Sequence, residues 1–349
     1  MIPAYAGIYL INPTSPQQSP NLNWKTAMLA LDRKTPAIWY LSTLAFSFCV
    51  VAGTLIGGAT AFAQSKDIAT YSTAEDAVAG LLAAVRSEDP AVEIVKVLGP
   101  DGEDIAISGD PIDDEARRER FLTAFDEAHK IDQQDQAKFV LVIGKDEYPF
   151  PIPIASEGGK WFWDTKAGIN EILTRRIGEN ELNTVQVMRT YVAAQLEYAE
   201  KERDNKGIQY ARRLMSREGR KDGLYWPAAE GEEESPIGPL IAKAQSEGYK
   251  AKSSAEAQPA YHGYVYRMLY GQGRNAADGA RDYIVNDRMI GGFALIATPA
   301  DYGNSGIMTF IVNHDGEVYE QDLGPDTQTA ARGIKLFDPD SNWKKVANE

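Results

Sequence analysis

Three imidazoles, His129, His262 and His314, are all the chain offers for acid–base work near neutral pH or for imidazole–metal bonds. No two of them have metal-ligand spacing. Gly271-Gln-Gly273-Arg-Asn-Ala276 has the G-x-G-x-x-A pattern of a dinucleotide loop. Such a loop needs a helix to open there inside a parallel crossover unit, and Ala277-Asp278-Gly279 offers neither. Gly303-Asn-Ser305-Gly306 lacks the spacing of a strand-to-helix nucleophile elbow. Ser341 and Lys344 match a Ser-Lys pair by spacing alone, in a stretch expected to fray. Asp338, Asp340 and Asn342 imitate the first half of a calcium loop, but Trp343 stands where the loop needs glycine. No catalytic residue, metal-ligand set or cofactor is therefore expected. One polar group remains: Tyr283, Asn286, Arg288, His314 and Asp315 are expected to meet at one end of a C-terminal sheet and take a small polar ligand. His314 itself falls in a predicted turn, where a solvated role outweighs that of a general base.

The elements that must position these residues follow from period and punctuation. Val265–Tyr270, Phe293–Thr298 and Ile307–Val312 are short runs of branched and aromatic residues bounded by turn formers. Asp315-Gly316 suits a tight hairpin because glycine tolerates positive φ. Glu317–Leu323 returns as a more polar edge strand. The C-terminal half thus predicts an antiparallel sheet of about four strands. Two of these strands are apolar on both faces, so both faces should be covered. A long helix covers one, and the 208–260 segment, the N-terminal domain or a partner the other.

That long helix is predicted from Thr165 to about Asn205. Ile169, Ile172, Leu173 and Ile177, then Val185, Met188, Val192 and Leu196, recur at helical spacing, with a kink at Gly178-Glu179-Asn180. Ile208–Glu218 is predicted as a short helix and Ser235-Pro236 as the start of another. Upstream, Ser72 or Thr73 caps a helix bearing Val78, Leu81, Leu82 and Val85, which Pro90 ends. Val92–Leu98 suits either a strand or a short helix. A charged helix over 113–130 precedes strands at Phe139–Ile143 and Lys160–Asp164, with an extended proline-rich edge between them. The expected fold class is α+β: a small helix-on-sheet N-terminal domain (64–178), a spine helix shared with the next domain, and a C-terminal α+β domain (179–349).

The first 63 residues predict an export signal. Lys25, Arg33 and Lys34 precede the apolar run Ala37–Gly58, and Ala61-Phe62-Ala63 is a small-x-small cleavage site before Gln64. The run is long enough to act as a membrane anchor. The order of basic, apolar and cleavage segments favours removal after Ala63, with Met28 an alternative start. Cys49, the chain's single cysteine, lies inside this signal, so the mature protein would carry no thiol, disulfide or cysteine-bound metal. A net charge of −14 argues against nucleic acid as a partner. Arg212-Arg213 with Arg217, Arg220 and Lys221 is a local basic exception, most simply a solvated helix face.

The segments IGENELNTVQVMRTYVAAQLEYA, DGLYWP, SPIGPLIAKAQSEGY, YHGYVYRMLYGQG and NDRMIGGFALIATPADYGNSGIMTFIVNHDGEVYEQDLG closely resemble the secreted bacterial proteins of domain-of-unknown-function family 2950. The resemblance covers nearly all of the chain after the signal and implies a periplasmic or extracellular location without implying an activity. The C-terminal half also resembles the globular heads of type II secretion pseudopilins, with a long helix, a variable loop region and an antiparallel sheet. The expected function is a non-enzymatic interaction or binding module of the bacterial envelope. Its partner would be an envelope protein or a small polar ligand, with no membrane insertion after cleavage. The alternatives are a hydrolase-type enzyme with an acid–base site in the interdomain groove and an accessory structural component of a secretion apparatus.

Overall fold

The computed structural model describes residues 68–203, 205, 207–229, 231–249 and 260–347. The export signal, Met28 and Cys49 lie outside the described residues. No described helix is long and apolar enough to cross a membrane.

Helix α1 (Ala74–Val85) starts where the Thr73 hydroxyl accepts the Asp76 N–H at 3.0 Å. Its acidic first turn, Glu75 and Asp76, complements the helix dipole. Pro90, expected to end this helix, instead opens α2 (Pro90–Leu98), because a proline at the first helical position sacrifices no hydrogen bond. The helical alternative for Val92–Leu98 is thereby the one adopted. Short α3 (Glu103–Ala106) and longer α4 (Pro111–Glu127) follow.

These helices pack on an antiparallel sheet of β1 (His129–Gln133), β2 (Lys138–Ile143), β4 (Ile154–Glu157) and β5 (Lys160–Trp163), in that order. The two-residue β3 (Tyr148–Pro149) also pairs with β2. Trp163, Leu141, Ile152 and Ile154 form the base of the core, and the Trp163 indole donates to the Ala77 carbonyl at 3.0 Å. A buried indole N–H without that acceptor would cost about 1–3 kcal/mol.

Helix α5 (Thr165–Ala199) runs 35 residues without interruption through Gly178, where the glycine suggested a kink. Packing on both sides supplies more than a single glycine removes. Ile172 joins the N-terminal core, while Met188, Tyr191 and Val192 are buried further along the helix. Two helical glycines have opposite roles. A Cβ on Gly178 would meet nothing within 4 Å, whereas one on Gly168 would lie 2.4 Å from the Pro151 carbonyl oxygen and 2.6 Å from Ile152 Cα. Gly178→Ala is therefore expected to raise stability by about 1 kcal/mol. Gly168→Ala is expected to lower it by about 1–3 kcal/mol, since a backbone has to move. Denaturant midpoints of the two variants test this, and equal shifts would contradict it.

Beyond α5 the expected helix at Ile208–Glu218 does not form. Its backbone bonds run sideways instead. The Tyr210 N–H donates to Met289 O, the Ser216 N–H to Tyr225 O, and the N–H groups of Leu224 and Tyr225 reach back to Arg213 O and Leu214 O. The Gln195 side chain clasps Ala211 from both sides, accepting its N–H at 2.8 Å and donating to its carbonyl at 3.0 Å. This extended strap lies across α5. Helix α6 (Gly238–Ser246) begins later than Ser235-Pro236 suggested, with Pro239 in its first turn.

The C-terminal sheet has five strands where about four were expected. Its order is β14 (Lys344–Lys345), β13 (Val318–Asp322), β12 (Met308–Asn313), β11 (Ala294–Pro299) and β6 (Tyr264–Leu269), all antiparallel. Strand β14 includes Lys344, so the expected frayed end instead pairs with the predicted edge strand. The β12–β13 turn carries Gly316 at φ +80°.

Both sheet faces are covered, with Leu295, Ile296, Phe310 and Ile311 each 1 % exposed. Helix α5 lies on the face of Tyr266 and Leu295. The opposite cover is none of the expected candidates. It is the chain's own tail: α7 (Thr327–Gly333), whose Ala331 carbonyl accepts from Arg267 at 2.8 Å, and Phe337, packed edge-on to Tyr319 at 5.9 Å. The fold class is α+β.

One buried cation ties the first helices to the C-terminal loops. Arg176, 2 % exposed on α5, donates to the carbonyls of Asp104 at 2.6 Å and Ile105 at 2.8 Å and to the Asn304 side chain. Asn304 in turn donates to Ile107 O at 2.8 Å, and Asn180 one turn on donates to Ser305 O at 2.9 Å.

Candidate functional site

The strap, α5, α6 and the C-terminal sheet enclose a half-open cavity of about 130 Å³. On α5, Val187 and Tyr191 face it together because they are four residues apart. Leu240, Ile241 and Ala244 present the same face of α6, Leu214 and Met215 come from the strap, and Tyr266 and Leu295 from the sheet. Among the described residues the lining contains no carboxylate, imidazole or cation; its polar groups are the Gln245 amide and four phenols. Tyr191 spends its hydroxyl on Ala294 O at 3.3 Å and on the Gln195 amide at 3.1 Å, so it presents mainly its ring.

A polar network borders this cavity through Tyr249 and Tyr261. The Tyr249 hydroxyl donates to Asp110 Oδ2 at 2.8 Å, and that oxygen also takes the Gly263 N–H at 3.0 Å. Tyr261 donates to Glu247 Oε2 at 3.2 Å, and the same oxygen stands 3.4 Å from His262 Nε2. His262 has φ +49° and Gly263 φ +73°, as the central residues of a tight turn closed by reciprocal Tyr261–Tyr264 backbone bonds. Gly263 has no substitute there, since a Cβ would lie 2.5 Å from Asn180 Nδ2.

Burial pushes the Glu247 carboxyl up, but the bond and charge of His262, with Lys243 and Tyr261, outweigh it and leave the group below its ordinary value. Burial, then the neighbouring carboxylates, push the phenols of Tyr249 and Tyr261 well up. The phenols are thus donors at neutral pH and Glu247 an ionised acceptor. That is a network for fixing the turn beside the cavity, with no activated nucleophile in it.

The residues expected at the end of the sheet divide into two groups. Tyr283, His314 and Asp315 come together: the Tyr283 and His314 rings meet edge-on at 5.8 Å, and His314 Nε2 lies 3.8 Å from Asp315. Asn286 and Arg288 belong to a different place. After the short pair β7 (Gly271–Gln272) and β8 (Arg281–Asp282), Asn286 (φ +50°) and Asp287 (φ +59°) form the turn between β9 (Ile284–Val285) and β10 (Arg288–Met289). Arg288 then donates to Ile208 O at 2.9 Å on the strap. The pattern that placed all five together missed this two-residue hairpin, which turns the chain away at Asn286.

Asp278 joins His314 and Asp315, bringing three potential ligand atoms within 4.8 Å of one another. Arg281 already stands 2.9 Å from His314 Nε2 and 3.7 Å from Asp278, so a cation is present beside two of the three. The group carries no metal assignment.

The signal that could have exposed the apolar cavity was faint. Leu214-Met215 is an apolar pair in a polar stretch and Leu240-Ile241 lies in a short apolar run, but nothing in their spacing points them at one another. No curated protein and no solved structure matches the chain. The family model described as "Protein of unknown function (DUF2950)" matches residues 69–346, from before α1 to just past β14, and the chain belongs to this family.

Proposed function

We propose that the protein is an exported, non-enzymatic binding module of the bacterial envelope whose cavity takes a small apolar ligand group. The observation that carries this reading is the cavity's lining, aliphatic and aromatic with no acid–base pair among its described residues. Ligand pockets are mostly apolar with a few placed polar groups, and Gln245 and the tyrosine hydroxyls fit that description. The volume of about 130 Å³ is close to the roughly 150 Å³ of an apolar cavity that holds benzene. A single aromatic ring or a short branched alkyl chain is the matching ligand group. Export is supported by the ordered basic, apolar and Ala-Phe-Ala segments ahead of Gln64.

Benzene added to the purified protein is expected to raise its thermal midpoint saturably, because a ligand that binds only the native state stabilises it. Ala244→Phe, which puts a ring into the cavity, is expected to abolish that response while the fold persists. Unchanged midpoints for the natural protein at saturating benzene would sink the cavity reading. A protein recovered from its host with residues 37–58 still attached would sink the cleavage.

A further inference from the structure

The basic run that reads as a solvated helix face forms part of a second cavity. Because the strap is extended, Arg212, Arg213 and Arg217 are turned with Arg203 onto one space of about 50 Å³ at the C-terminal end of α5. A buried water needs roughly 10–15 Å³ of such space, so there is room for one tetrahedral oxyanion. The lining holds four guanidinium groups against two carboxylates, Asp222 and Asp287, in a chain whose net charge is −14.

The carboxylates do not balance the cations. Asp222 serves Arg217 at 2.6 Å and is the nearest described acid to Arg213 at 4.0 Å, while Asp287 takes Arg212 at 2.5 Å. Burial pushes Asp222 up, but the bonds and charge of Arg217, with that of Arg213, outweigh it and hold it ionised below its usual value. Behind them Glu233 is shared among Lys201 at 3.1 Å, Arg203 at 3.1 Å and Lys221 at 3.2 Å. Among the described residues, three acids thus answer six cations.

Two buried polar atoms of residues in this lining have no partner among the described residues. Arg203, 9 % exposed and stacked 4.4 Å from the Tyr198 ring centroid, leaves its Nε–H unmet, and Gln209 leaves its amide oxygen unmet. Turned over, the Gln209 amide offers two more N–H donors. A buried charged donor left without an acceptor is costly, and an oxyanion would supply the missing acceptor.

We propose that this cavity binds a small tetrahedral oxyanion: inorganic phosphate or the phosphate monoester of a small solute. Planar guanidinium forks match phosphate oxygens in pairs, and among the described residues Arg213 is the lining fork whose nearest acid lies farthest away. The strap places Arg212 and Arg213 on this cavity and Leu214 and Met215 on the apolar one, so anion binding holds a wall common to both.

The test is titration calorimetry of the full chain with sodium phosphate, against sodium chloride at equal ionic strength. Saturable phosphate binding is expected. In Arg213→Gln and Arg217→Gln it should weaken by at least about tenfold, the loss typical of one charge-assisted hydrogen bond. Arg220→Gln, exposed and outside the lining, should bind as the natural protein does. If Arg217→Gln fails to fold for want of its Asp222 bond, Arg213→Gln carries the comparison alone. Phosphate is also expected to slow amide exchange across 208–217. Heats no larger than those of chloride, or equal weakening in Arg220→Gln, would overturn the site. Vesicles containing phosphatidylglycerol distinguish the source of the phosphate. Capture by vesicles without a response to free phosphate would overturn assignment to a small solute.

Discussion

Arg176→Ala is expected to cost about 3–5 kcal/mol of folding stability, the loss that follows when one member of a buried charged network is removed. The guanidinium satisfies the carbonyls of Asp104 and Ile105 and the side-chain oxygen of Asn304, and all three acceptors lose that donor once the arginine is gone. Asp114 is the second consequence. Its carboxyl is pushed up by burial, and its Oδ1 has no partner. The Ser108 hydrogen bonds and then the charge of Arg176 are what hold that rise in check. Without Arg176 the carboxylate is left more nearly alone. Burial, with Arg117 close by, lowers the Arg176 guanidinium below its ordinary value, so its neighbours have to compensate for desolvation that truncation removes only on one side. Pairing Arg176→Met with Asp114→Asn should therefore recover part of the loss. Urea denaturation of the two variants measures both quantities. A loss under about 1 kcal/mol for Arg176→Ala would show that the network adds little.

What could be read from the chain and what could not follow from the range of each interaction. The four long strands of the C-terminal sheet lie within about two residues of their predicted bounds. Branched and aromatic runs and the Asp315-Gly316 turn are local signals there. The start and apolar face of helix α5 were legible, because its apolar residues repeat over many turns, but it ends at Ala199 and not near Asn205, and it has no kink at Gly178. The strap was not. Its spacing mimics a helix, and the groups that claim its backbone, Met289, Gln195 and Tyr225, lie as far as 79 residues away along the chain. The tail was missed for a related reason: Ile334, Leu336 and Phe337 form a short, mixed stretch without helical or strand period, and only the sheet above it makes Phe337 part of the core. Arg176 follows Arg175 in an exposed-looking pair, yet Arg175 sits beside Glu171 and Tyr148 while Arg176 is buried. Both candidate cavities share this difficulty. Each collects residues from separate segments around the strap, so an error of secondary structure there concealed both together.

Raising the pH above about 10 is expected to unfold the protein steeply, because buried tyrosines must keep their protons for the fold to persist. Tyr191, Tyr249, Tyr264 and Tyr283 are each less than 10 % exposed, and each phenol is pushed up first by burial. Nearby carboxylates add to the rise for Tyr249 (Asp110) and Tyr264 (Glu181). The folded-state values thus lie above the unfolded value of about 10. Below that value both states hold the proton and the stabilisation is complete. Above it the unfolded chain has released protons that the native state retains, so stability falls as pH rises. One such group contributes a slope of about 1.4 kcal/mol per pH unit, and four acting together about 5. Against a total stability of roughly 5–15 kcal/mol, the native state should be lost within about one to three pH units above 10. Far-ultraviolet circular dichroism and tyrosinate absorbance followed together are expected to change in one cooperative step. Tyr191→Phe should lower the slope by about 1.4 kcal/mol per pH unit, since it removes one proton that the native state retains. Tyrosinate signal rising gradually from about pH 10, with helical content intact beyond about pH 13, would mean that these phenols ionise within the fold and that burial does not hold their protons.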